Sequence, residues 1–476
     1  MHIVTVATSP ILARNLWNRI ELKGNRRISH IAHPTYDAAS WSLIAPARSV
    51  LFFRGHVPPA MPPADRELLA SLEIAGVPTI HNMILSDRFI SKLPYEESLA
   101  YATFIAQKLF AFYRSLEPAV AIGSFDGLHG SLGFAVAKYL GIPWFALNFS
   151  SLPHGSAALC SDLAPASRTV LDPRREGTMR STADRLLKEF EDRKIQAAAY
   201  IPPKLLSAAF IFKRIPGQLR TLVQIAGRRR LAGYLRFTDS PNSYSIGGLF
   251  REAIRLRLNV LRMPIREFLV EPPDTRYAFF GMHMQPESSI DVFAHFYSNQ
   301  PHVIELIARS LPPTHTLLVK LHKSDVPNYS RTLLTRLARI PGVRLVSPYA
   351  DTFAFIKQAK IIFSIQGTIG LEGALLGKPV IMFGDSPAKA FPNVATIGRD
   401  PDLPELVRRQ MSAKEPSRDA IIDAFASFLA PFYPASRNDW SIRPTDEEID
   451  GYVQLFTALE NHLRSRVVVL QGNGST

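Results

Sequence analysis

Short apolar runs alternate with helical patterns twice along this chain, and no other feature constrains its fold as tightly. Over the first 150 or so residues "HIVTVA", "SVLFFRG", "VPTIHN", "AVAIGS" and "IPWFAL" read as strands, with "DRELLASLEIAG" and "YEESLAYATFIAQKLFAFYRSL" as helices between them. The alternation restarts at "EPPDTRYAFFGMHMQPE". Its strands are "YAFFGMH", "HTLLVKLH", "VRLVSP", "KIIFSIQ" and "KPVIMFG", with helices near 290–310, 327–339, 351–358 and 368–376. Such spacing makes mostly parallel sheets with helices on both faces. It predicts an α/β chain of two doubly wound, Rossmann-like domains, 1–160 and 271–430. Between them 161–270 reads as a helical basic insertion. The tail, 431–476, carries a final helix with acidic residues in its first turn, expected to pack back on the first domain.

The charge balance selects partners. Lys and Arg number 55 against 41 Asp and Glu, a net charge of +14. Such a field favours anions. It is densest between 204 and 268, where thirteen basic residues from Lys204 to Arg266 are opposed only by Asp239, Glu252 and Glu267. The plainer reading is a solvated set of helices; the functional one is a surface for anionic lipid or a phosphorylated glycan acceptor. Nucleic acid is not expected, for the chain has no zinc-finger spacing, aromatic RNA-binding signature or recognition helix. The single cysteine, Cys160, excludes an internal disulfide and fits a reducing compartment. With no secretory signal at the start and no run of about 20 apolar residues, the expected location is the cytoplasm or, peripherally, the inner-membrane surface.

Three strand ends of the second repeat carry polar groups. "FSIQGTIGLEGALLGKPVIMFGD" (363–385) places Ser364, Gln366, Gly367 and Thr368 between a strand and a helix, with Glu372 one turn on. A turn of this kind leaves backbone N–H groups pointing outward as an anion site. The plainer alternative is an ordinary turn in which Thr368 caps the helix. "FFGMHMQPESSI" ends at His283, Gln285, Pro286 and Glu287, and "LLVKLHKSD" at Lys320, His322, Lys323 and Asp325. Successive strand ends of a doubly wound sheet meet at one rim. The donors suit phosphate, and no metal or other cofactor is expected, because no metal-ligand spacing occurs.

In the first repeat "AVAIGSFDGLHGSLG" supplies Ser124, Asp126 and His129 after a strand. Asp126 fits a base for an acceptor hydroxyl or a nucleophile; it equally fits a helix cap or a turn with Gly127. Ser124 and His129 are the acceptor-side candidates.

Those three segments of the second repeat, in this order, resemble the capsule polysaccharide biosynthesis family, which includes transferases of Kdo (3-deoxy-D-manno-octulosonic acid). The resemblance covers roughly 275–390. It implies a GT-B glycosyltransferase whose second domain binds a nucleotide sugar and whose first holds the acceptor. His322 matches the histidine of the His-Pro pair in related Kdo and sialyl transferases, but Lys323 replaces the proline. Ser364, Gly367 and Thr368 stand where phosphate-binding hydroxyls are expected. Glu372 matches the glutamate of the Gly-x-Glu turn, and Gln285, Pro286 and Glu287 match a Gln-Pro-Glu strand end. The implied reaction moves an acidic sugar, Kdo or sialic-acid-like, from a CMP donor to a capsule or surface-glycan acceptor, which would be free or lipid-linked. Asp126 is the expected catalytic carboxylate, with Glu287 next. The alternatives are a UDP-sugar transferase, an inactive glycan-assembly binding protein, and an epimerase or hydrolase of nucleotide sugars.

Overall fold

The computed structural model describes residues 1–34, 38–42, 44, 49–53, 61–87, 90–124, 127–162, 168–196, 246–264, 267–285, 287–397, 402–435 and 444–472. The chain divides into two compact units. The first takes Met1–Thr178 and the chain from Ala430 onward; among the described residues the second takes the remainder, beginning at Met179. The basic stretch 204–245 lies outside the described residues, and Ile246–Leu261 form a helix.

The first unit holds strands β1 (His2–Thr8), β2 (Arg27–Ala32), β3 (Val50–Leu51), β4 (Val120–Gly123), β5 (Trp144–Phe149) and β6 (Ser156–Cys160). The second holds β7 (Tyr277–Gly281), β8 (Thr316–Lys320), β9 (Val343–Val346), β10 (Ile361–Ser364), β11 (Val380–Met382) and β12 (Val394–Thr396). The chain then returns as β13 (Tyr433–Pro434), antiparallel to β6. The first sheet runs β13-β6-β5-β4-β1-β2-β3 and the second β12-β11-β10-β7-β8-β9. Both contain the doubly wound order, in which the chain starts in the middle and reverses direction across the sheet. The second sheet is parallel throughout. Its strands are buried on both faces: Ala278, Phe279 and Phe280 have no exposed surface. That explains why they read as continuous apolar runs rather than alternating ones.

Two expectations about elements fail. "VPTIHN" is no strand: Thr79 accepts from Asn82 N–H at 3.2 Å and starts the helix Ile80–Ser86. Its buried Ile80, Met83 and Ile84 have helical spacing, which a six-residue window mistakes for a strand. Of the described residues of "SVLFFRG", only Val50–Leu51 join the sheet. Conversely "RISHIA" forms β2, parallel to β1.

The helix Asp446–Gly472 belongs to the first unit. Thr445 and Glu448 cap it reciprocally: Glu448 N–H donates to the Thr445 hydroxyl at 3.2 Å, and Thr445 N–H donates to Glu448 Oε2 at 2.7 Å, a capping box. It packs through Phe456 against Trp17, which precedes the helix Asn18–Gly24, ring centroids 5.5 Å apart, and on that helix through the ion pairs Arg19–Asp446 and Lys23–Asp450. No helix among the described residues is long and apolar enough to cross a membrane.

Candidate functional site

The chain order of the second sheet reverses between β7 and β10, its topological switch point. A hydrogen bond spans that point: His283, two residues past β7, accepts from Gln366 N–H, two residues past β10, at 3.2 Å through Nε2. His283 is buried, and burial and the neighbouring His322 pull its pKa down to about 3. Its ring is therefore neutral, with the proton on Nδ1. Gln300, from the helix Gln300–Ser310, fixes its backbone from both sides.

Behind this brace the turn closes on itself. The Ser364 hydroxyl, fully buried, accepts from Gly367 N–H at 3.1 Å. A Cβ at position 367 would lie 2.8 Å from His283 Nε2, so glycine is demanded by close approach. The helix Thr368–Leu375 starts here and lies tight on the sheet, for a Cβ on Gly370 would meet Met382 Sδ at 2.3 Å.

A cavity of about 550 Å³ opens over the ends of β7 and β8 and the first turn of that helix. Lys320, His322, Lys323, Thr368 and Glu372 line one part; Tyr349, Asp351 and Phe353 line another, with Phe190 and Arg193 from the end of the helix Arg180–Glu191. Arg193 stacks over the Phe353 ring at 5.0 Å and grips Asp351 through two bonds, 2.8 and 3.1 Å long.

The electrostatics are those of a built site. Burial, then the cations Lys320 and Lys323, depress the His322 pKa to about 4, so it is a neutral imidazole whose Nδ1 accepts from Ser324 N–H at 3.3 Å. Lys320 is 5% exposed, and burial followed by Lys323 lowers it to about 8. Glu372 is half-buried with its open side on the cavity. Burial raises it to about 7 against the opposing pull of a Thr368 hydrogen bond and Lys320. The site thus offers cations and hydroxyl donors for an anion, aromatic faces for a ring, and two groups that titrate near neutrality.

The structure brings together His322, Lys323, Thr368 and Glu372. Ser364, Gln366 and Gly367 form the turn behind them, and Gln366 Nε2 donates to the Asp385 carbonyl. Gln285 and Glu287 lie off the cavity lining. Gln285 joins Gln300 at 2.7 Å and Asp291 at 3.0 Å, while Glu287 accepts from Ser289 at 2.7 Å. Asp126 and Pro286 lie outside the described residues. Ser124 is exposed just past β4. His129 is 5% exposed, its ring bonded to the Tyr101 hydroxyl at 3.0 Å and set against Phe53. The first turn of the helix Leu128–Tyr139 is held by Asp87, which accepts from Leu128 N–H at 2.8 Å.

Sequence reasoning passed over Gln300 and the Phe190–Arg193 wall, and did not single out Lys320 from its neighbours. Lys320 had a signal: a lysine inside the apolar run "LLVKLH" has to be buried or leave the strand. Arg193 had none, since its charged helix reads like any solvated one.

No family model matches the chain, and no curated protein does. Among solved structures it is similar to the Thermosulfurimonas dismutans KpsC beta Kdo 2,4 transferase, at 12% identity over 94% of this chain and 97% of that one, with a TM-score of 0.39. The beta Kdo 2,7 transferase of KpsC from that organism gives 11% identity over 73% of this chain and 89% of that one, with a TM-score of 0.34. The Neisseria meningitidis UDP-GlcNAc 2-epimerase bound to UDP-GlcNAc gives 12% over 90% and 98%, with a TM-score of 0.28. At such scores the chemistry has to come from this chain's own residues.

Proposed function

We propose that this chain is a nucleotide-sugar-dependent glycosyltransferase that binds its donor in the cavity of the second unit. One observation carries the reading: the basic groups at the end of β8 and the Thr368 hydroxyl at a helix start line a single cavity beside the switch point, where doubly wound sheets bind ligands. His322, Lys323 and Thr368 take the phosphate; Tyr349 and Phe353 offer faces for the base. The sequence resemblance over 275–390 supports a CMP-activated acidic sugar as donor and a surface glycan as acceptor. The basic segment supports delivery of a lipid-linked acceptor at an anionic membrane surface on the cytoplasmic side. Asp126 acts as base or nucleophile, a role argued from sequence alone.

The test is a thermal-shift panel of CMP, CDP, UDP and GDP, followed by transfer from labelled CMP-sugar to a glycan acceptor. A ligand at about 100 times its Kd adds roughly 2.7 kcal/mol. Stabilisation by CMP above the others, and turnover that collapses in Asp126→Asn while CMP binding survives, are expected. No shift with any nucleotide would remove the reading. One observation favours a second: Lys320 and Glu372 titrate near neutrality, as an epimerase or hydrolase of nucleotide sugars requires. Release of free sugar without acceptor would select it.

A further inference from the structure

Lys320 ends β8 with 5% of its surface exposed. Its ammonium donates to the Pro348 carbonyl at 3.0 Å. An ammonium has three N–H donors, and no carboxylate among the described residues lies within ion-pair distance. A buried cation without a counter-ion is costly unless a partner arrives. The cavity that Lys320 lines is where a partner would arrive.

The charged groups around it come from every neighbouring element. His322 and Lys323 follow on its own strand end, Asp351 comes from the turn after β9, and Glu372 from the helix Thr368–Leu375. Asp351 is already held by Arg193 through both carboxylate oxygens. No ion pair to Glu372 forms, so the attraction between Lys320 and Glu372 acts only across space.

We propose that Lys320 is the anion receptor of this cavity, its ammonium taking a phosphoryl oxygen of the nucleotide, so that binding draws a proton into the site. This rests on the nucleotide reading above. The balance is simple: an incoming anion favours the ammonium of Lys320 and the neutral acid of Glu372. Any fraction of Lys320 that was neutral, or of Glu372 that was ionised, takes up a proton from solvent. With Lys320 lowered to about 8 and Glu372 raised to about 7, uptake falls in the range from neutral to mildly alkaline pH. Phosphate-bearing ligands are thereby selected over their nucleosides.

The test is calorimetric titration of the full chain with CMP at pH 8, in two buffers of different ionisation enthalpy. A phosphate monoester, with its second pKa of about 6, is already a dianion there, so net proton uptake belongs to the protein. Expected are net uptake and an affinity that falls several-fold from pH 7 to 9. In Lys320→Met, CMP should bind tenfold or more weaker with uptake reduced, and cytidine should bind as to wild type. If Lys320→Met does not fold, absence of proton uptake by the wild-type chain overturns the proposal by itself. Equal CMP affinity in the variant would make Lys320 a buttress for Pro348 and overturn it too. Inorganic pyrophosphate separates the two readings. Lys320-dependent binding of pyrophosphate without binding of any nucleotide would sustain the receptor and remove the nucleotide. Nucleotide binding with no proton exchange would sustain the nucleotide and remove the receptor.

Discussion

Gln300 holds the backbone of His283 at both ends: its Oε1 accepts from His283 N–H at 2.8 Å and its Nε2 donates to the His283 carbonyl at 3.0 Å. Both residues are buried, so a side chain that cannot bond leaves a backbone donor and an acceptor stranded. Each stranded group costs about 1–3 kcal/mol. Gln300→Leu is therefore expected to lower the unfolding free energy by at least about 2 kcal/mol, read as a lower urea midpoint at unchanged slope. A wild-type midpoint would mean that neighbouring groups replace the clamp.

The same brace predicts the behaviour of Gly367. A methyl there would press on His283 Nε2 at 2.8 Å, and either the ring or the turn has to move. Overpacking of this kind costs about 1–3 kcal/mol. Because the turn carries Thr368, Gly367→Ala should weaken CMP binding tenfold or more as well as lowering the melting temperature. Loss of stability with unchanged affinity would separate the turn from the ligand.

Much of this was legible in the chain. Tyr277–Gly281 and Ile361–Ser364 are unbroken apolar runs because both their faces are covered, and that pattern marked the strands of the second sheet. The grouping of His322, Lys323, Thr368 and Glu372 followed from a rule about where parallel strands end. The failures have equally local causes. Thr79 turns an apolar hexamer into a helix start, a capping effect that outweighs strand propensity. Gln285 and Glu287 sit at a strand end, yet Gln300 and Asp291 draw the Gln285 side chain, and Ser289 the Glu287 side chain, away from the cavity; Gln300 lies fifteen residues beyond Gln285, and nothing local announces it. Arg193 reaches the cavity only through tertiary packing of a helix whose buried stripe, Ala183, Leu186, Leu187 and Phe190, is spaced like that of any amphipathic helix and does not say what it packs against.

Burial of Lys320 should cost stability that function retains. Its folded pKa of about 8 lies below the ordinary 10.5, so the folded state disfavours the charged form. That penalty is full below pH 8 and is relieved as pH rises from about 8 toward 10.5. At about 1.4 kcal/mol per unit, less the lost bond to Pro348, Lys320→Met should stabilise the chain by roughly 2 kcal/mol at pH 7. The gain should shrink at pH 9–10. Urea unfolding at both pH values measures it, and a variant less stable than wild type at pH 7 would show that the Pro348 bond outweighs the buried charge.

Glu372 makes the opposite case and can be checked without touching a cation. Burial raises its folded pKa from 4.5 to about 7, so the folded chain holds a proton that the unfolded chain releases. The stability this lends is fully present below about pH 4.5 and is lost as pH rises through 7. Glu372→Gln keeps the shape and cannot ionise. The variant should match wild type near pH 4.5 and become the more stable of the two by pH 8, by an amount on the order of 2–3 kcal/mol. It should also bind CMP more tightly at pH 8, since no carboxylate then faces the phosphate. Unfolding curves from pH 4.5 to 8 trace the difference directly. A flat difference would place Glu372 in contact with bulk water, and the cavity would then be a shallower, wetter site than its geometry describes.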